Sequence, residues 1–457
     1  LTKERIKGFE TAGRSKMLVS FQVSNYKSFR SDAILNLNAN RADKTIPGAI
    51  LRPEDGSDKD AQLLAAAAIY GANASGKTNL IMALDYFTKA VAYSQSIWKP
   101  GSGTRVTPNA LDAEKPTRME VVVIVNGVRY RYGFEGNPRT FTREWLFSYP
   151  VGRERELFVR ETNFETGEPQ VTATFGRNLS GSIRDFNSSL RRANENSLLL
   201  SALAQDNQSE ALDVFSYFYD ANRIIDRTDQ DNEIKFASRF TETMPDFREL
   251  LLGLLQTADQ SIVDIDVEEI EKIASSEGSV DEISEIVPNY ETRFNSIISG
   301  VTVTLPLNVQ SRGVKSVYAM SAHACMSLLR GSLLIIDEID TSMHPHLVAK
   351  LVSIFQNPAT NPHGAQIIFS THDTHLISIE HLRRDQVWFV EKTDGVSELF
   401  ALSEFSPRKG ENLEMSYLRG KFGAVPEGGV SLRLLGLSNQ VSSSRSNQAS
   451  VTEASDE

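Results

Sequence analysis

A single cysteine in 457 residues, Cys325, excludes an internal disulfide framework and suits a reducing cytosol. It stands in a helical stretch and reads as a small packing residue rather than a nucleophile. No apolar segment approaches the roughly 20 residues needed to cross a bilayer, so no membrane partner is expected. Residues 1–16 are charged and lack the apolar block of a secretory signal; they are expected to be an upstream extension or a loosely held leader. There is no sustained heptad, which excludes long coiled-coil arms. Positive charge is also short. A formal net charge of −11 argues against a surface that clings to nucleic acid throughout, while leaving room for a local basic groove. The basic pairs Arg191-Arg192, Arg383-Arg384 and Arg408-Lys409 read as solvated helix faces or loops.

What is present is a phosphate cradle. The stretch Gly71-Ala72-Asn73-Ala74-Ser75-Gly76-Lys77-Thr78, followed by Asn79, comes after an apolar run at residues 63–70. It opens a helical pattern with Leu80, Ile81, Leu84 and Phe87 on one face. Strand, glycine-rich turn and helix form the context that the pattern GxxxxGK[ST] requires. Backbone N–H groups at the helix start would ring a nucleotide β-phosphate. Lys77 would neutralise the β- and γ-phosphate oxygens, and the Thr78 hydroxyl would ligate Mg²⁺. The chain is therefore expected to bind ATP.

The length allows two or three packed units. Residues 18–23 and 33–38 read as two strands around a turn, and residues 39–60 as a loop. Asn126-Gly127 between two alternating runs predicts a tight hairpin with a type I′ turn. Short strands at 141–147, 156–160 and 171–175 extend an antiparallel layer. Residues 182–287 read as helical and acidic, with apolar faces at 198–203 and 247–255. Asp264 and Asp266 mimic a metal-binding DxD but read as solvent-facing alternates of a short strand. Residues 333–336 and 366–369 are apolar runs of the kind buried in parallel sheets, with a helix at 346–355 between them. A last hairpin turns at Thr393-Asp394-Gly395, and the Ser/Asn/Gln-rich chain from about 438 is expected to be disordered.

Asp337 and Glu338 end the first of those two buried strands. A P-loop enzyme needs one carboxylate near Mg²⁺, here Asp337, and can use a second, Glu338, to deprotonate the attacking water. The next strand ends in Ser370-Thr371-His372-Asp373, where His372 could hydrogen-bond the γ-phosphate. Gln310-Ser311-Arg312-Gly313 heads an amphipathic helix at 314–329. There Ser311 and Gly313 could offer a hydroxyl and bare amides to an anion.

The order of these motifs resembles that of ABC-type ATPase heads. NYKSF (residues 25–29) resembles the opening of the SMC and RecF-like branch. DEIDTSMHPHL (337–347), FSTHDTHLI (369–377) and YLRGKFGAVP (417–426) are similar to standalone bacterial ATPases of anti-phage and abortive-infection modules, the RloA-like, OLD-like and Septu-type ATPases. The resemblance spans about residues 17–426. It implies an α/β ABC-type P-loop head with an antiparallel β subdomain and a helical insertion. It also implies heads that pair as a homodimer or higher homo-oligomer, Ser311 and Gly313 of one closing on ATP held by Lys77 of the other. Residues 340–344 would then cross the dimer junction. QSRGVKS departs from the full LSGGQ signature, and no residue is assigned to a glutamine loop.

The expected organisation is an N-terminal extension (1–16), an N-terminal ATPase lobe (17–181), a helical lobe (182–300), a C-terminal ATPase lobe (301–430) and a tail (431–457). The expected function is an ATP-hydrolysing sensor or regulator in anti-phage defence that controls a separate nuclease or toxin. The alternative is a RecF/SMC-like repair or recombination ATPase, which would bind DNA. ATP and Mg²⁺ are the expected cofactors, and the cytoplasm the expected location.

Overall fold

The computed structural model describes residues 16–53, 58, 60–163, 170–221, 223–225, 230–270, 289–378, 380–408 and 410–424. The expectations for residues 1–15, Lys409 and the tail from 425 onward lie outside them.

The chain starts with β1 (Lys16–Ser24) and β2 (Ala33–Asn36), then β3 (Ile50–Leu51), β4 (Leu63–Leu64) and β5 (Ala66–Tyr70). Helix α1 (Lys77–Tyr93) follows, then five long strands: β6 (Thr117–Val125), β7 (Val128–Gly136), β8 (Phe141–Tyr149), β9 (Arg155–Asn163) and β10 (Gln170–Phe175). Seven strands form one sheet in the order β10-β9-β8-β7-β6-β1-β2, antiparallel at every pair. The β6–β7 turn has φ of 53° at Asn126 and 71° at Gly127, both positive as a type I′ turn demands. The described residues among 39–60 are mostly loop, as expected, apart from a 3₁₀ turn at Pro47–Ala49 and β3, which pairs with β4.

Next come α2 (Ile183–Arg192), α3 (Leu199–Gln205), α4 (Ser209–Ala221), β11 (Arg223–Ile225), α5 (Gln230–Thr243) and α6 (Pro245–Ala258). Among the described residues, the helical reading of 182–287 fails at β11, whereas the short strand expected around Asp264 and Asp266 is found. β11 joins the parallel sheet, and β12 (Ile262–Ile270) begins an antiparallel sheet completed by β13 (Asn289–Ile298) and β14 (Val301–Pro306). Only Ile262 and Ile265 of β12 are buried, so its acidic alternation belongs to a one-sided strand. Asp264 and Asp266 lie on that strand, 2.8 and 3.6 Å from Arg248.

The chain closes with α7 (Arg312–Arg330), β15 (Leu333–Ile336), α8 (Pro345–Phe355), β16 (Gln366–Ser370), β17 (Val387–Thr393), β18 (Val396–Ala401) and α9 (Leu413–Leu418). The second large sheet has the order β11-β15-β16-β5-β17-β18, parallel except for β18 at its edge. β15, β16 and β5 are buried at every residue, which explains their continuous apolar runs. This is an α/β fold with an antiparallel β layer and helical elements, as expected.

Two features tie the sheets together. The amide of Gln366 takes the Leu18 N–H at 2.6 Å and donates to the carbonyls of Leu18 and Leu64, both at 3.0 Å. The ring of Phe87 on α1 meets Phe21 of β1, Phe134 of β7 and Phe218 of α4 at centroid distances of 6.1, 5.1 and 5.2 Å. The helix after the glycine-rich loop is thus clamped to the antiparallel layer by an aromatic cluster.

Cys325 is fully buried on α7, and burial pushes its thiol well up, as fits a packing residue. Arg383 corrects the reading of the basic pairs. It is fully buried, donates to both oxygens of Asp385 at 2.9 and 2.7 Å, and donates to the carbonyls of Asp43 and Asn40 at 2.7 and 3.0 Å. Its role is to pin the loop after β2, and the adjacent Asp385 together with acceptors remote in sequence permits such burial. Arg192 is ion-paired with Asp206, and Arg384 donates to the carbonyls of Pro407 and Arg408 at 2.7 and 3.0 Å.

Candidate functional site

The loop between β5 and α1 needs its glycines. Gly76, the residue before α1, has φ of 119°, and a Cβ there would stand 2.4 Å from Ser397 Oγ and 2.9 Å from Ser28 Oγ. A Cβ on Gly71 would meet the Val390 carbonyl oxygen at 2.3 Å. Ala74 also takes a positive φ, 61°. Ser28 and Ser397 therefore wall the loop from behind, and Ser397 donates its hydroxyl to the Ser75 carbonyl. Asn79 donates its side-chain amide to Ser28 Oγ at 2.7 Å, so the NYKSF segment braces the start of α1.

No side chain caps the first turn of this 17-residue helix, so its leading N–H groups are open to an anion. Ser75 is buried, and its hydroxyl has no partner. Ala72 is half-buried, while Asn73, Ala74 and Thr78 are exposed along the loop and helix start. Lys77 is 5% exposed and donates to the carbonyls of Gly71 at 2.9 Å and Ala72 at 3.1 Å. Burial depresses its ammonium below the ordinary lysine range, while Asp337, Glu338 and Asp340 oppose that shift. An orphaned buried hydroxyl, an uncapped helix start and a lysine facing three carboxylates fit a phosphate chain with a divalent cation.

Those carboxylates come from the neighbouring strands. Parallel pairing aligns Ile336 with Phe369 and Ser370 with Ile69, so β15, β16 and β5 end side by side. Asp337 is half-buried and Glu338 exposed. Glu338 has φ of 50°, the left-handed region, and its N–H donates to Ser370 Oγ at 2.7 Å. Ser370 donates its own hydroxyl to Asp337. Thr341 donates to Glu338 Oε2 at 3.2 Å. His372 is exposed just past β16, its N–H donating to the Asp340 carboxylate at 3.3 Å. Tyr70 at the end of β5 donates to the Asp373 carbonyl at 3.1 Å.

Lys77, Asp337, Glu338 and His372 thus belong to one end of one sheet. Ser311 and Gly313 do not join them. Both are exposed at the start of α7, where Ser311 Oγ caps the helix by accepting from the Val314 N–H at 3.2 Å. Among the described residues, no hydrogen bond ties either residue to the loop or the carboxylates. Residues 339–342 form a short 3₁₀ turn, and His344 caps α8.

Sequence reasoning gave no role to Ser28, Ser370 or Ser397. Each is a single hydroxyl whose partners lie 32 to 322 residues away, and no local pattern marks such contacts.

A family model described as "AAA domain, putative AbiEii toxin, Type IV TA system" matches residues 66–378, more than half of the chain. No curated protein matches it. Among solved structures, the SMC head domain from Thermotoga maritima is 12% identical, covering 84% of this chain and 98% of that one at a TM-score of 0.39. The Smc head domain with an extended coiled coil, bound to the C-terminal domain of ScpA and derived from Pyrococcus furiosus, is 12% identical. It covers 89% of this chain and 100% of that one at a TM-score of 0.37. The Smc head with a coiled coil and joint from Pyrococcus yayanosii is 9% identical, with coverages of 89% and 100% and a TM-score of 0.40.

Proposed function

Since the chain belongs to the AAA-domain family whose description names a putative AbiEii toxin of a type IV toxin–antitoxin system, we propose that it binds and hydrolyses ATP to regulate an effector in bacterial anti-phage defence. The carrying observation is the shared sheet end, where the glycine-rich loop and Lys77 lie beside Asp337 and Glu338.

In this reading ATP phosphates exchange with the carbonyls of Gly71 and Ala72 for the Lys77 ammonium, and the open N–H groups of α1 receive the β-phosphate. Thr78 and Asp337 would hold Mg²⁺, which neutralises charge on the phosphate oxygens. Glu338 takes a proton from the attacking water as its oxygen bonds to the γ-phosphorus and the bond from that phosphorus to the β–γ bridging oxygen breaks, giving phosphate and ADP. His372 senses the γ-phosphate. Two heads pair, with Ser311 and Gly313 of one copy completing the pocket of the other. Their exposure, away from their own chain's loop, supports a role in trans. The branch is that of the standalone RloA-like, OLD-like and Septu-type ATPases, with a nuclease or toxin held as a separate polypeptide. The family description's reference to a toxin–antitoxin system supports this partner class.

The test is turnover. The purified chain hydrolyses ATP in the presence of Mg²⁺, and Glu338→Gln keeps ATP affinity while losing at least 100-fold in kcat, within the range expected for removing a general base. Normal turnover in that variant removes Glu338 as the base. ATP-stimulated, salt-sensitive DNA binding without an effector in the native complex would favour the RecF/SMC-like reading instead.

A further inference from the structure

We infer that Ser370 is a positioning residue for the catalytic turn, holding Asp337 and Glu338 in their working geometry through a single buried hydroxyl. The inference rests on the ATPase reading above.

Ser370 is the last residue of β16 and is fully buried. Its hydroxyl spends both capacities on the adjacent strand end, donating to Asp337 Oδ1 and accepting from the Glu338 N–H at 2.7 Å. Glu338 needs that help. A non-glycine residue at φ 50° is strained, and it persists only where surrounding contacts fix it. One hydrogen bond to the backbone of the strained residue and one to the carboxylate before it set the turn from which both acids project. The register explains why position 370 can do this. Ile336 pairs with Phe369, so the residue after each lies at the same level of the sheet.

A second link runs the other way, the Asp340 carboxylate accepting the His372 N–H at 3.3 Å. The two strand-end turns are thus tied reciprocally. The bland alternative makes Ser370 a strand-end serine that satisfies its neighbours and nothing more. On that view its loss would cost stability and ATP affinity together, leaving kcat untouched in the folded fraction. The positioning role has a different signature, because Asp337 and Glu338 act on the reaction while Lys77 and the loop hold the nucleotide.

The experiment compares Ser370→Ala and Ser370→Thr in the full-length chain, with ATP and Mg²⁺ for turnover and a non-hydrolysable ATP analogue for affinity. Ser370→Ala is expected to lower kcat about tenfold, a barrier change of about 1.4 kcal/mol. KM and analogue affinity stay within twofold, and the Glu338 amide exchanges with deuterium about tenfold faster. Ser370→Thr, which keeps the hydroxyl, recovers most of the lost kcat. If the threonine variant does not fold, the alanine variant decides alone. Turnover within twofold of the parent, or a slower variant whose Glu338 amide is unchanged, overturns the inference. A parent protein that does not hydrolyse ATP would refute the functional reading instead. The amide exchange would then judge the positional claim, with faster exchange in Ser370→Ala supporting it and unchanged exchange overturning it.

Discussion

The ammonium of Lys77 is bonded to the carbonyl oxygen of Gly71, the residue that opens its own loop, at 2.9 Å. Lysine and loop are therefore one preorganised unit, and a phosphate that enters exchanges partners rather than ordering a free side chain. The arrangement costs stability, since the charge is almost wholly buried.

Lys77→Met is accordingly expected to abolish ATP binding while leaving the fold at least as stable, by up to about 1 kcal/mol at neutral pH. The sign follows from linkage. A depressed lysine pKa means that the unfolded chain holds a proton the folded chain releases between that pKa and the ordinary 10.5. The penalty is complete below the depressed pKa and is relieved as pH rises through it. Urea unfolding beside nucleotide titration checks both halves, and undiminished ATP affinity would contradict the P-loop assignment.

Gly76→Ala places a methyl group where Ser397 Oγ and Ser28 Oγ already stand, on a backbone with φ of 119°. Either these hydroxyls leave their bonds to Ser75 and Asn79 or the loop shifts, and the left-handed φ strains an alanine in both cases. ATP affinity should fall at least tenfold, or about 1.4 kcal/mol, with the melting temperature lowered by only a few degrees. Calorimetric titration reads the first and a thermal scan the second.

Glu144 on β8 is fully buried beside Arg160, 3.6 Å away. It also accepts the N–H groups of Leu199 and Leu200 at 2.7 and 2.9 Å and the Tyr132 hydroxyl at 3.0 Å. Burial pushes its carboxyl up, and Arg160 opposes the shift. Arg160→Met strands that charge and should destabilise the chain by roughly 3 kcal/mol near neutral pH. Because a raised carboxyl pKa favours the folded state below the ordinary 4.5, the deficit should shrink in acid and grow as pH rises through the raised value. Urea unfolding at several pH values tests the trend, and a pH-independent deficit would contradict it.

The β6–β7 turn, the glycine-rich loop and the strand ends of the candidate site are more legible in the sequence than the sheets around them. Asn126-Gly127, the glycine-rich loop and the apolar runs before Asp337 and Ser370 are local signals, set by φ requirements and by burial on both faces. β11 is three residues long and carries no periodicity, so only its pairing with β15 defines it. The alternation around Asp264 and Asp266 marks β12 as a strand, whereas β14 buries no residue and is defined only by its pairing with β13. Arg383 was misjudged for a related reason. Its acceptors at Asn40 and Asp43 lie 343 and 340 residues away, and without them an arginine belongs in water.

The central claim is a pocket shared between two copies, and the mass of the Glu338→Gln variant in ATP and Mg²⁺ tests it most directly. By analytical ultracentrifugation that variant should sediment as a dimer or a higher multiple. Adding Ser311→Arg should return it to monomers that still bind ATP. A Glu338→Gln protein saturated with ATP yet monomeric at every concentration would contradict the account.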